Sequence, residues 1–165
     1  MLLLLLGAIA ITLRARLRIP MNIPGHHGIE VMALIMAGRC ISRIPVASSI
    51  SAAMAAILTY IPVLGFSDPY MPFVYIIMGV SLDIMHLLIR NGKLRLLLLT
   101  LAGGFAYMMI PLTRLVISVT TGFPYNSFLK HGVISTLLFH LLFGLAGAAF
   151  TTGLVYSLNR LRKRS

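Results

Sequence analysis

LRLLLLTLAGGFAYMMIPLTRLVISVTT, from Leu94 to Thr121, runs for about 28 residues with only Arg95 and Arg114 charged. A helix crosses the hydrocarbon core of a bilayer with about 20 mainly apolar residues, so this stretch is long enough to span with tilt. Pro111 inside it predicts a kink. Its apolar residues do not alternate at period two, which excludes a strand of a membrane barrel.

Working outward, charged or Pro/Gly punctuation marks five more apolar segments: 1–13, 29–44, 46–66, 70–89 and 132–158. The expected fold is an all-α integral membrane protein, a single-domain bundle of six transmembrane helices over 1–165. Six spans use about 120 of the 165 residues and leave no room for an extramembrane domain. The composition agrees, with 59% apolar residues and 10% charged against roughly 25% charged in a soluble domain. The first segment is too short for a comfortable span. It lacks the basic start and small-residue cleavage site of a signal peptide, so it reads as a span that is tilted, extended by the turn at Arg14-Ala-Arg-Leu-Arg18, or shortened by its start codon.

The 14 Lys and Arg against 3 Asp and Glu, net +11, punctuate apolar runs and form no aromatic-interleaved stripe. That pattern argues for an anionic leaflet and against nucleic acid. On alternate sides, Arg39, Arg43, Arg90, Lys93, Arg95, Arg160, Arg162, Lys163 and Arg164 oppose Arg14, Arg16, Arg18 and Lys130, which predicts both termini in the cytoplasm. Cys40 stands alone and excludes an intrachain disulfide.

Small residues recur every four positions at Ser48, Ala52 and Ala56, and again at Gly144 and Ala148. Such rows allow close helix approach, either inside the bundle or at a partner-docking face; Ser48, Ala52 and Ala56 are the candidate docking row.

The most distinctive stretch is Pro20-Met-Asn-Ile-Pro-Gly-His-His-Gly-Ile-Glu30, a constrained loop expected outside. His26, His27 and Glu30 form a candidate ligand set for a transition metal. The neighbouring arginines favour an anionic or polar organic ligand over a cation, and capping of a helix start by the histidines is the bland reading.

Ionisable groups inside a membrane are costly and demand partners. Arg39 and Asp83 fall at similar depth and are the expected buried ion pair, with His86 one turn away. Arg114 lies roughly 10 Å below the outer boundary, level with His140. With Glu30 and Tyr75 it is expected to line an outward cavity roofed by the His26-His27 loop, to which Tyr125 and Asn126 contribute. The competing expectation is an Arg114 to Glu30 ion pair. No nucleophile elbow, zinc-protease motif or phosphate loop occurs, so an enzyme is not expected; a metal hydrolase on His26, His27 and Glu30 is the residual catalytic reading.

These features resemble the substrate-binding S components of energy-coupling factor (ECF) vitamin transporters: six short helices, a structured first loop, Ala52-x-x-x-Ala56, Pro24-Gly-His-His-Gly28 and Tyr75-x-x-x-Gly79-x-x-x-Asp83. In that family the Ala-x-x-x-Ala row usually lies on the first helix; here it is on the third. The resemblance implies a multi-pass protein of a bacterial or archaeal cell membrane with no cofactor of its own. It further implies a transmembrane coupling subunit and two ATP-binding cassette subunits that use the ATP. The expected function is capture of a small vitamin-like, polar or anionic nutrient at the outer face. A metal-ion permease component and a noncatalytic membrane scaffold are the alternatives.

Overall fold

The structure, a computed structural model, describes residues 1–17, 23–89, 92 and 94–162; Arg18, Pro20, Met21, Asn22, Arg90, Lys93, Lys163 and Arg164 lie outside the described residues. Among the described residues seven α-helices follow one another: α1 (Leu2–Arg16), α2 (Gly28–Ile41), α3 (Ala47–Leu58), α4 (Met71–Leu88), α5 (Arg95–Thr121), α6 (Asn126–His131) and α7 (Val133–Arg162). Among the described residues there is no strand.

Each expected segment contains a helix, but the expectation of six spanning helices is only partly met. The helices α4, α5 and α7, of 18, 27 and 30 residues, are long and apolar enough to cross a membrane. At 15, 14 and 12 residues, α1, α2 and α3 reach only about 18 to 23 Å, short of a core about 30 Å thick. The third segment loses most: α3 ends at Leu58, and Pro62 and Gly65 (φ 71°) turn the chain through a 3-10 turn, Pro62–Leu64. Pro72 in the first turn of α4 sits where its missing N–H costs nothing. α5 continues unbroken through Pro111 and stops at Gly122, whose φ of 73° supplies the left-handed cap. The short α6 was not anticipated.

Six helices close into a ring in the order α1, α2, α7, α5, α4, α3, with α2 also touching α3 and α5. Ile11, Met32, Ile35, Tyr75, Met78 and Tyr107 fill its centre. Ser48, Ala52 and Ala56 are buried, and a Cβ at Gly79 of α4 would sit 2.5 Å from that of Ala52. This row is therefore internal packing between α3 and α4, a correction to its expected docking role. Gly144 and Ala148 likewise meet Tyr107 and Gly103 of α5.

Arg39 and Asp83 form the expected buried pair at 3.2 Å. Arg39 Nη1 and Nη2 also donate to the carbonyls of Pro45 (2.7 Å) and Ser42 (3.1 Å). The Asp83 carboxylate accepts the N–H groups of Ser48 (3.0 Å) and Ser49 (2.7 Å) and the Ser49 hydroxyl (2.7 Å). Since α3 has no side-chain cap of its own, Asp83 caps it from α4. His86 makes no hydrogen bond to the pair; its Nδ1 is buried without a partner.

Candidate functional site

At one end of the ring, the Gly-His-His-Gly loop is shaped by its glycines. Gly25 has φ 81°, and a Cβ there would lie 2.8 Å from His140 Nδ1; one on Gly28 would lie 2.5 Å from the Tyr107 ring. Only glycine allows both the left-handed turn and this contact, so the loop lies directly on α5 and α7.

Each histidine has a set tautomer. His26 Nδ1 is 2.7 Å from the Ile23 carbonyl and His140 Nδ1 is 2.7 Å from that of Thr136. A carbonyl only accepts, so Nδ1 carries the proton and Nε2 is left as an acceptor. The buried Nε2 of His26 has no partner. His27 Nδ1 lies 2.6 Å from Glu30 Oε1. Burial lowers the His27 pKa and the nearby Arg14 lowers it further, against the raising effect of the Glu30 hydrogen bond, so the ring is held neutral and donates to the carboxylate. His26 and His27 rings sit 4.0 Å apart.

Beneath the loop is a cavity of about 130 Å³ lined by Arg14, His26, His27, Arg114, Ser127 and His140, with Tyr107 at its wall. Four of the expected site residues, His26, His27, Arg114 and His140, therefore meet. The other three do not line it. Tyr75 is fully buried and its hydroxyl accepts from Arg14 Nη1, which makes it a positioning group. Glu30 is engaged with His27. Asn126 is exposed, because the turn into α6 directs Ser127 inward in its place.

The expected alternative pairing of Arg114 with Glu30 does not occur: Arg114 Nη2 meets Asp68 Oδ2 at 3.1 Å, and its guanidinium lies 5.2 Å from the Tyr125 ring centroid. The Tyr125 phenol, in the loop before α6, is pushed up to about 12 by burial and by the Asp68 carboxylate. Arg114 Nε is buried without a partner.

All three carboxylates of the chain are thus engaged, Glu30 with His27, Asp68 with Arg114 and Asp83 with Arg39. Arg14, on α1, is left with Tyr75 and with the faces of Phe66 and Tyr75 at 5.7 and 5.5 Å. Among the described residues no carboxylate pairs with it. The cavity carries the Arg14 guanidinium and is lined by Arg114, whose Nε is a free donor, an arrangement complementary to a small anion, while the free acceptor His26 Nε2 suits a hydroxyl carried on it.

The metal alternative lacks geometry: among the described residues no three His, Cys, Asp or Glu side chains converge to hold an ion. Asp68 and Tyr107 were not anticipated at this site. Asp68 was legible by elimination, as the one acid left for the second buried arginine.

No protein-family model matches the chain, and no curated protein or solved structure matches it either.

Proposed function

We propose that this protein is the substrate-binding subunit of an ECF-type importer, embedded in the cell membrane with both termini inside. It captures a small anionic nutrient at the histidine end. A transmembrane coupling subunit and two ATP-binding cassette subunits would drive its release, and the ATP would belong to them. The observation that carries the reading is Arg14, an arginine that lines a small cavity and forms no ion pair, its hydrogen bond going to the Tyr75 hydroxyl. A membrane setting is supported by the three long apolar helices and by an outer surface carrying Val116, Val119, Ile134, Leu142 and Phe150. Because Ser48, Ala52 and Ala56 are buried, a coupling subunit would meet a different face.

The volume narrows the ligand. Pockets for drug-sized organic ligands run from about 300 to 1,000 Å³. At about 30 Å³ per water, 130 Å³ suits a ligand of a few non-hydrogen atoms, such as a small carboxylate. A vitamin-sized molecule needs the 23–27 loop to lift.

The test is mass spectrometry of small molecules released from the purified, denatured protein, followed by thermal unfolding with each candidate. A small anion released from wild type and missing from R14Q is the expected result. No released molecule together with no stabilisation by a panel of small carboxylates, or equal retention by R14Q, would refute the assignment.

A further inference from the structure

At the opposite end of the ring a second, open cleft of about 810 Å³ lies among the C-terminal ends of α2, α4 and α7 and the start of α5. Arg39, Arg43, Arg95 and His86 line it, and among the described residues no carboxylate does. Asp83, the nearest acid, has both oxygens occupied by Arg39 and the start of α3.

Two independent features show unmet bonding capacity here. Arg39 is 3% exposed, and once its Nη atoms are committed its Nε remains without a partner, as does Nδ1 of His86. The 27-residue α5 opens onto the same cleft through Gly92, Arg95 and Leu96, with no side-chain cap and no acidic residue in its first turn. Its positive dipole end adds to the Arg43 and Arg95 guanidiniums, which face one volume with the Asp83-paired Arg39 behind them. Such like charges repel unless an anion lies among them. The remaining wall is mixed, with Leu96, Leu99 and Val155 beside Ser42, Thr152, Tyr156 and Asn159.

We propose that this cleft binds a phosphate group carried on an apolar body, with Arg43 and Arg95 holding the phosphate at the mouth and Arg39 behind it. Arginine forks match phosphate oxygens two at a time, whereas Leu96, Leu99 and Val155 accommodate the body. The phosphate is either the headgroup of a membrane lipid or that of a soluble ester. This site is independent of the histidine-end cavity and of the transporter reading.

The experiment uses the full chain in a neutral detergent, with binding read by native mass spectrometry and thermal unfolding. The probes are dioleoylphosphatidylglycerol in mixed micelles, dioleoylglycerol as the same tails without phosphate, glycerol 3-phosphate, and chloride at matched ionic strength. Arg43 and Arg95 are exposed, so R43Q/R95Q leaves the buried core untouched. Saturable binding of the phosphatidylglycerol identifies a lipid source and saturable binding of glycerol 3-phosphate a soluble one. In either case R43Q/R95Q weakens the affinity about tenfold or more, and R14Q leaves it unchanged. Dioleoylglycerol binding as tightly as the phospholipid, chloride stabilising as well as glycerol 3-phosphate, unchanged affinity in R43Q/R95Q, or loss of it in R14Q overturns the proposal.

Discussion

Asp83 of α4 and Arg39 of α2 meet at 3.2 Å in the buried part of the bundle, where Asp83 also accepts the Ser48 and Ser49 N–H groups at the start of α3 and Arg39 donates to the carbonyl of Ser42, the C-cap of its own helix. Removing one partner from such a pair leaves an uncompensated buried charge and costs about 3 to 5 kcal/mol. Asp83→Met is therefore expected to lower unfolding stability by that order, and the double variant R39M/D83M to lose less than D83M alone. Denaturant titration in detergent micelles gives both values; a loss of under about 1 kcal/mol in D83M would show the pair to be incidental.

Tyr75 acts on the histidine-end cavity only through Arg14. Tyr75→Phe keeps the ring under the guanidinium and removes one hydrogen bond to a charged group, worth about 1.5 to 3 kcal/mol. Affinity for the captured anion is expected to fall roughly ten- to a hundredfold in Y75F, less than in R14Q. Isothermal titration calorimetry of the three proteins tests the order, and Y75F binding as tightly as wild type would remove Tyr75 from the site.

Gly25 has φ 81° and lies against His140. A side chain in the left-handed region costs about 1 to 2 kcal/mol, and the contact with the imidazole adds to it. Gly25→Ala should lower the unfolding temperature and displace the loop. Faster proteolysis after the histidines would report the displacement, and an unchanged cleavage rate would mean the loop is not held by this contact.

His27 is held below its ordinary pKa of 6.5 by burial. Above pH 6.5 the ring is neutral whether the chain is folded or not, so its contribution is complete. As pH falls through 6.5 toward the lower folded value, the unfolded chain takes up the proton first and stability is lost. Stability measured from pH 7.5 to 5 should therefore fall less steeply in H27Q than in wild type. Parallel curves would mean that His27 is no more buried than a free imidazole.

Ala52 faces Gly79 across the α3 to α4 contact. Ala52→Leu should destabilise the folded chain by about 1 to 3 kcal/mol through overpacking. Thermal unfolding checks it; wild-type stability in A52L would return this row to the list of free surfaces.

Much of this was legible in residues whose cost in isolation is high. Arg39 and Asp83 had to find each other, because two buried charges at similar depth admit few other partners. His26, His27, Arg114 and His140 share a cavity because alternating helix directions bring those segment ends together. Asp68 was missed since Ser67-Asp68-Pro69 read as a bare connection, yet the early end of α3 leaves the acid beside Arg114. Asn126 and Ser127 differ by one position, and the start of α6 decides which points inward.

Apolar periodicity, punctuation and the scarcity of acids were enough to define an all-helical chain, its segment boundaries to within a few residues outside the third segment, and the pairing of its deepest charges, because these follow from local solvation energy. The burial of Ser48, Ala52 and Ala56, the pairing of Arg14 with Tyr75 and not with a carboxylate, and the basic cleft around Arg39 depend on how the helices close into a ring. Those properties arise from distances between residues far apart in the chain, which side-chain spacing along one helix does not encode.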